Sequence, residues 1–249
     1  MTAAEWPTGE RGPVRQPTVW HIDLTLDEAG QRTCLAALSD DERARAARFL
    51  RLEDRDRYAA SHAALRRILA SALGTNPALL RFRLGPSGKP ELDAPWRDRL
   101  EFNLSHSGSV GLIGLSPAAR IGVDVEWMRP LPDCLSLARS HFARPEIAAL
   151  EALPSAERQA AFYACWTRKE AFVKALGSGL SFPLDGFVVA VPPEPPALVS
   201  IGGSTGAASA WSLQHLDLGA GHVGAVAIES AGAACLFRSL GADWASRPA

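Results

Sequence analysis

Acidic and basic residues in two short segments have the types and spacing to handle a phosphate ester. Gly122-Val123-Asp124-Val125-Glu126 alternates as a strand does, with Ile121, Val123, Val125 and Trp127 on one face and Asp124 and Glu126 on the other. Two carboxylates on one face of a short strand repel unless a cation lies between them. Trp166-Thr167-Arg168-Lys169-Glu170-Ala171-Phe172-Val173-Lys174 has helical spacing and carries a third carboxylate, Glu170, flanked by Lys169 and Lys174. Three acids and two lysines suit a hard divalent cation held against a phosphate ester. Plainer readings compete. An Asp-x-Glu strand is by itself usually a solvated face. Glu170 and Lys174 also have the i, i+4 order of an ordinary surface ion pair. Lys169 fits the plain reading less well, because on a helical wheel it falls within the stripe of Phe162, Cys165, Trp166, Phe172, Val173 and Leu176. A lysine there must snorkel or meet an anion.

The elements that must position these residues read as a mixture of helices and strands. Val19 to Leu24 alternates as a strand, and Ser39-Asp40-Asp41-Glu42 is a capping box that opens a helix. The helical pattern breaks near Asp54, resumes through Tyr58, Leu65, Ile68, Leu69 and Leu73, and stops at Gly74. Leu80 to Leu84 and Val110 to Leu115 are predicted strands, with a polar break from Pro117 to Arg120. Ala143-Arg144-Pro145-Glu146 opens a short helix, with proline tolerated in the first turn. Pro154-Ser155 starts the helix of Glu170, and Gly177 closes it. Phe187 to Val191, Ala210 to Asp217 and His222 to Glu229 read as strands between Pro- or Gly-rich turns. Helix, glycine, strand occurs from Leu65 to Leu84 and again from Arg168 to Val191, a faint internal repeat.

Composition bounds the function. The 249 residues are 47% hydrophobic and 21% charged, with a net charge of −1. That predicts one large domain or two small ones and gives no case for nucleic acid or an anionic membrane as partner. Cys34, Cys134, Cys165 and Cys235 are scattered, without the spacing of a zinc site or a disulfide framework, so a reducing cytoplasm is expected. No run approaches the about 20 apolar residues that span a membrane. Residues 1–18 are polar and Pro/Gly-rich, and read as a flexible tail with no apolar signal-peptide run.

At its two acidic segments the chain resembles the 4′-phosphopantetheinyl transferases, specifically the larger monomeric type that activates peptide and polyketide carrier proteins. The signature strand and helix lie roughly forty residues apart. Three further elements follow the family's order: the turn Gly88-Lys89-Pro90, the segment Phe102-Asn103-Leu104-Ser105-His106-Ser107, and Phe142 with Glu146. The resemblance runs from about Ser39 to Phe187. It implies an α+β fold of two similar halves related by a pseudo-twofold axis, residues 19–118 and 119–249, with the active site in the cleft between them. It implies a monomeric enzyme that moves 4′-phosphopantetheine from coenzyme A to a serine of an apo acyl or peptidyl carrier protein, releasing 3′,5′-ADP.

The resemblance also implies roles for residues. Asp124, Glu126 and Glu170 would hold Mg²⁺, or Mn²⁺ in its place, against the pyrophosphate of coenzyme A. Glu170 and Lys169 are the catalytic candidates. The choice of general base among Glu170, Glu126 and a metal-bound water stays open. Lys169 and Lys174 would meet pyrophosphate oxygens, His106 the 3′-phosphate, and Ser105 would add a hydroxyl contact. Lys89 and Pro90 would form the adenine-side turn. Arg45 and Arg57 are the best matches to basic residues around the 3′-phosphate, while Glu42 stands where the family often has lysine. Trp166 is expected to pack. Met128 to Phe142, with Leu131, Leu135, Leu137, Arg129, Arg139 and nearby Arg144, would dock an acidic carrier. Two other activities fit the same residues: a Mg²⁺-dependent phosphohydrolase acting on a nucleotide, and a non-catalytic module that binds coenzyme A or a carrier domain.

Overall fold

Strands β4 (Glu101–Ser107) and β6 (Ile121–Trp127) are the edges of two separate sheets, and they lie side by side at the centre of the molecule. This is seen in a computed structural model that describes residues 14–179, 182–219, 221–241 and 243–246. The first sheet has the order β11-β1-β5-β4, with β1 at Thr18–Asp23, β5 at Val110–Ser116 and β11 at Leu236–Ser239. The second has the order β6-β10-β9, with β9 at Ser212–Asp217 and β10 at His222–Ile228. Two small hairpins complete the sheets: β2 (Phe82–Leu84) with β3 (Pro90–Leu92), and β7 (Phe187–Val189) with β8 (Leu198–Ile201).

Side chains join the two edges where a backbone ladder is missing. Phe102 and Leu104 turn into a core of the first half, so Asn103, Ser105 and Ser107 turn the other way, toward β6. The Asn103 Oδ1 accepts the Val123 N–H at 2.8 Å, the Ser105 Oγ accepts the Val125 N–H at 3.4 Å, and the Ser107 Oγ accepts the Trp127 N–H at 3.0 Å. These bonds satisfy edge groups that would otherwise be unpaired in the interior.

Helices cover both sheets. α1 (Glu28–Ala37), α2 (Asp40–Ala46) and α3 (Leu52–Leu73) belong to the first half. α4 (Cys134–His141), α5 (Arg144–Ala152), α6 (Ser155–Leu176) and the short α7 (Thr205–Ala208) belong to the second. The Ser39–Glu42 capping box forms as expected, and Gly74 and Gly177 end α3 and α6 in the left-handed conformation. The helix break falls between α2 and α3, earlier than Asp54. Glu53 and Asp54 lie in the first turn of α3, where carboxylates meet the positive end of the helix dipole. Tyr58, Leu65, Leu69 and Phe102 build one core and Phe142, Phe162, Phe172 and Phe187 a second. Val19, Leu112, Val123, Val125 and Val226 fill the space between the sheets.

Two expected boundaries need correction. The second half does not run unbroken to residue 249, because β11 returns to pair in parallel with β1, and Trp244 and Ala245 complete the first core. This covers the edge of β1 that would otherwise be open. Of the expected tail, residues 1–13 lie outside the described residues. Val14 packs on the first core and the Pro17 carbonyl accepts the Leu236 N–H at 2.9 Å, so residues 14–18 belong to the fold. Among the described residues no helix is long and apolar enough to cross a membrane.

Candidate active site

Gly122 lets α6 come down onto β6. A Cβ at that position would lie 2.1 Å from the Ala171 carbonyl oxygen and 2.3 Å from the Ala175 nitrogen. Ala171 and Ala175, one turn apart, are correspondingly small. This close approach brings Glu170 and Lys174, which immediately precede Ala171 and Ala175, to the face of β6 that carries Asp124 and Glu126. The Lys174 Nζ donates to Asp124 Oδ1 at 2.5 Å and to the Ser105 Oγ at 3.0 Å. Lys174 therefore pairs with Asp124 across elements rather than with Glu170 along its own helix.

The three carboxylates lie in one another's field. Burial raises the pKa of Asp124, against the opposing pull of Lys174 and Ser105. Burial and then the charge of Asp124 raise Glu126, with Glu170 adding to the rise. Burial and Asp124 likewise raise Glu170. Asp124 Oδ2 is buried without a hydrogen-bond partner. An orphaned carboxylate oxygen beside two further acids is an environment that a divalent cation relieves, so the residues fit one. Among the described residues no three His, Cys, Asp or Glu side chains form a ready cage. An open set suits Mg²⁺, which keeps several waters and takes one or two carboxylates plus phosphate oxygens.

A basic wall continues from this group into the first half. His106 is exposed. Desolvation by the surrounding protein, then the neighbouring His62, Lys174 and Arg57, push its pKa down to about 4. Arg57 is held by Asp54 at 3.4 Å and Glu53 at 3.6 Å on its own helix. The Arg45 guanidinium lies 5.8 Å from the centre of the Tyr58 ring, and the Tyr58 and His62 rings lie 4.0 Å apart, tilted by 30°. His62 is not singled out by the sequence, and Tyr58 is read there only as part of the helical pattern, although both follow Arg57 on α3. Glu42 lies beside this wall. It closes the cap at Ser39 and pairs with Arg66 at 2.6 Å and His62 at 3.2 Å. Burial works to raise its pKa, but His62, the Ser39 N–H and Arg66 overcome it and hold the carboxyl at about 2.

Lys89 and Pro90 stand apart from the carboxylates, at the C-terminal end of α6. They line a cleft of about 440 Å³ with Arg83, Glu101, Arg120 and Gly177. The Lys89 Nζ reaches Glu101 at 3.3 Å and the Ala175 carbonyl at 3.5 Å, a favourable place for a cation at a helix end.

The family model of the 4′-phosphopantetheinyl transferase superfamily matches residues 120–227, and that of the 4′-phosphopantetheinyl transferase N-terminal region matches residues 28–117. The 4′-phosphopantetheinyl transferase HetI of Nostoc sp. is 37% identical over 215 residues, covering 86% of this chain and 88% of that protein. The chain belongs to the 4′-phosphopantetheinyl transferase family. Two more relatives are slr0495 of Synechocystis sp., 44% identical over 168 residues and 67% of each chain, and a Bacillus subtilis 4′-phosphopantetheinyl transferase, 32% identical over 169 residues, 68% of this chain and 73% of that one.

In this transferase Lys169 does not face the cleft, which corrects its expected place at the pyrophosphate. It is 0% exposed, with Nζ 2.6 and 2.8 Å from the two Glu146 carboxylate oxygens and 2.8 Å from the Phe187 carbonyl. Glu146 also accepts the N–H groups of Ala143 at 2.9 Å and Val189 at 2.7 Å. Lys169 is next to Glu170 in sequence but roughly 100° around the helix from it. The anion its apolar stripe demanded is Glu146, and the pair ties α5, α6 and β7 together. Removing one partner strands the other charge in the core. Lys169→Met is therefore expected to cost about 3–5 kcal/mol in urea unfolding. A loss below about 1 kcal/mol would show that the pair carries little.

Proposed function

We propose that this chain transfers 4′-phosphopantetheine from coenzyme A to a serine hydroxyl of an apo acyl or peptidyl carrier protein. The observation that carries the site assignment is the buried, half-satisfied Asp124 carboxylate, grouped with Glu126, Glu170 and Lys174 at the seam between the sheets. The serine oxygen attacks the β-phosphorus of coenzyme A, its bond to 3′,5′-ADP breaks, and the serine proton passes to a base.

Asp124, Glu126 and Glu170 would hold Mg²⁺, or Mn²⁺, against the pyrophosphate. Such a cation neutralises phosphate charge and eases departure of the leaving group. Lys174 is a flexible point charge already at this place, able to leave Asp124 Oδ1 for a phosphate oxygen. Glu170, whose pKa is raised, is suited to take the serine proton. His106, Arg57 and Arg45 would face the 3′-phosphate. An anion beside His106 favours its charged form, so binding there would draw its pKa upward from about 4. Lys89 and Pro90 would border the adenine.

The carrier would dock beside Trp127, which is 46% exposed with Arg129 at 5.9 Å from its ring, and Leu137, which is 37% exposed. Leu131 and Leu135 pack against the second core, and Arg139 pairs with Glu151 at 2.6 Å. The pseudo-twofold relation of the halves is supported by their matched parts: a 22-residue helix ended by a left-handed glycine in each, beside a sheet with three consecutive antiparallel strands, β1-β5-β4 in one and β6-β10-β9 in the other. A reducing cytoplasm fits the four free cysteines.

The test is intact mass spectrometry of apo carrier domains incubated with the protein, coenzyme A and Mg²⁺. One phosphopantetheine added per carrier is expected, and neither EDTA treatment nor Glu170→Ala should leave measurable transfer. Coenzyme A binding with no carrier modified would instead mark a non-catalytic module. Release of 3′,5′-ADP with no modified protein would mark a phosphohydrolase.

A further inference from the structure

We propose that Ser107, together with Ser105, is a positioning residue that selects which oxygen of each β6 carboxylate is free to face the cation. The inference rests on the metal assignment above. A hydroxyl has one proton and two lone pairs. The Ser107 Oγ accepts the Trp127 N–H at 3.0 Å, and its proton is then aimed at Glu126 Oε2, 3.1 Å away. The Ser105 Oγ accepts from the Val125 N–H at 3.4 Å and from the Lys174 Nζ at 3.0 Å, so its proton is aimed at Asp124 Oδ1, also 3.0 Å away. Each hydroxyl rotor is locked by the backbone of the strand whose carboxylate it holds.

The lock has a directional consequence. Asp124 Oδ1 takes two donors, Ser105 and Lys174, while Oδ2 is left buried with none. On Glu126, Oε2 is committed and Oε1 is released. Hydrogen bonds to ligating carboxylates orient them, and their removal typically weakens metal binding. The serines lie on β4 of the first half and the carboxylates on β6 of the second. One half thereby sets the donor geometry of the other. Ser105, expected to contact coenzyme A, is turned to Asp124 instead.

The test measures Mn²⁺ binding by the full chain with coenzyme A present, counting free Mn²⁺ by its EPR signal. Ser107→Ala should weaken Mn²⁺ roughly 10-fold, the lower end of the about 10–100-fold cost of losing such a partner. Ser107→Thr keeps the hydroxyl and should restore binding to within about twofold, with both variants melting close to the parent. Parent-like Mn²⁺ affinity in Ser107→Ala, or equal loss in the Ala and Thr variants, would overturn the inference. Asp124→Asn runs alongside. Loss of Mn²⁺ there beside unchanged Ser107→Ala overturns the serine role alone, whereas full Mn²⁺ binding by Asp124→Asn overturns the metal assignment beneath it.

Discussion

Gly122→Ala is expected to destabilise the protein by more than about 4 kcal/mol, in the range reserved for outright steric or charge failures. The added methyl would sit 2.1 Å from the Ala171 carbonyl oxygen, 2.3 Å from the Ala175 nitrogen and 2.9 Å from the Ala175 Cα. All three are backbone atoms of a 22-residue helix, so no rotamer change relieves the overlap. The whole of α6 would have to retreat from β6. Retreat loosens the packing of Phe162 and Phe172 and withdraws Glu170 and Lys174 from Asp124. Urea unfolding followed by circular dichroism measures the loss. A variant that unfolds within about 1 kcal/mol of the parent would show that α6 has slack at this contact.

Asp124→Asn should have the opposite profile, with activity lost and the fold kept. The amide can still accept from Ser105 and Lys174 through its oxygen, while its nitrogen takes the place of the orphaned Oδ2. Replacing the charge also relieves the repulsion that raises Glu126 and Glu170. The melting temperature should therefore equal or exceed the parent's without added metal, as is common when a strained functional group is neutralised. Transfer should fall at least about 10²–10³-fold, because the site loses charge aimed at the reacting phosphate. Initial rates by mass spectrometry and thermal melts of the same preparation check both halves. Retained transfer, or a melting point several degrees lower, would mean that Asp124 serves the fold rather than the reaction.

Much of the scaffold was legible because its signals are local. The alternation from Ile121 to Trp127, the Ser39–Glu42 cap and the helix-ending Gly74 and Gly177 each act within a few residues. The grouping of Asp124, Glu126, Glu170 and Lys174 was anticipated from two motifs, but the reason they meet was not. That reason is Gly122, whose role is visible only when α6 is laid across it. Lys169 shows where local reading stops. Its burial could be seen on a helical wheel, whereas its partner Glu146 is 23 residues away on another helix. Glu42 reads in the sequence only as an acid where the family often has lysine, and its pairing with Arg66 and His62, 24 and 20 residues on, has no local signal. The parallel pairing of β11 with β1 joins distant stretches of chain, and α1 buries only Gly30 and Cys34, neither of them a large apolar residue that would mark it as a core helix.

The return of β11 bears on the order in which the molecule can be completed during synthesis. A ribosome delivers β1, α3, β4 and β5 early, so the first sheet begins to assemble with one flank of β1 bare. The strand that covers that flank, and the Trp244 that closes the core beneath it, emerge only after the entire second half. The nascent first half must therefore wait, exposed and adhesive, through translation of every residue that separates β5 from β11. Chaperone demand and the hazard of mispairing should be concentrated in that interval, on a stretch of backbone far from any chemistry.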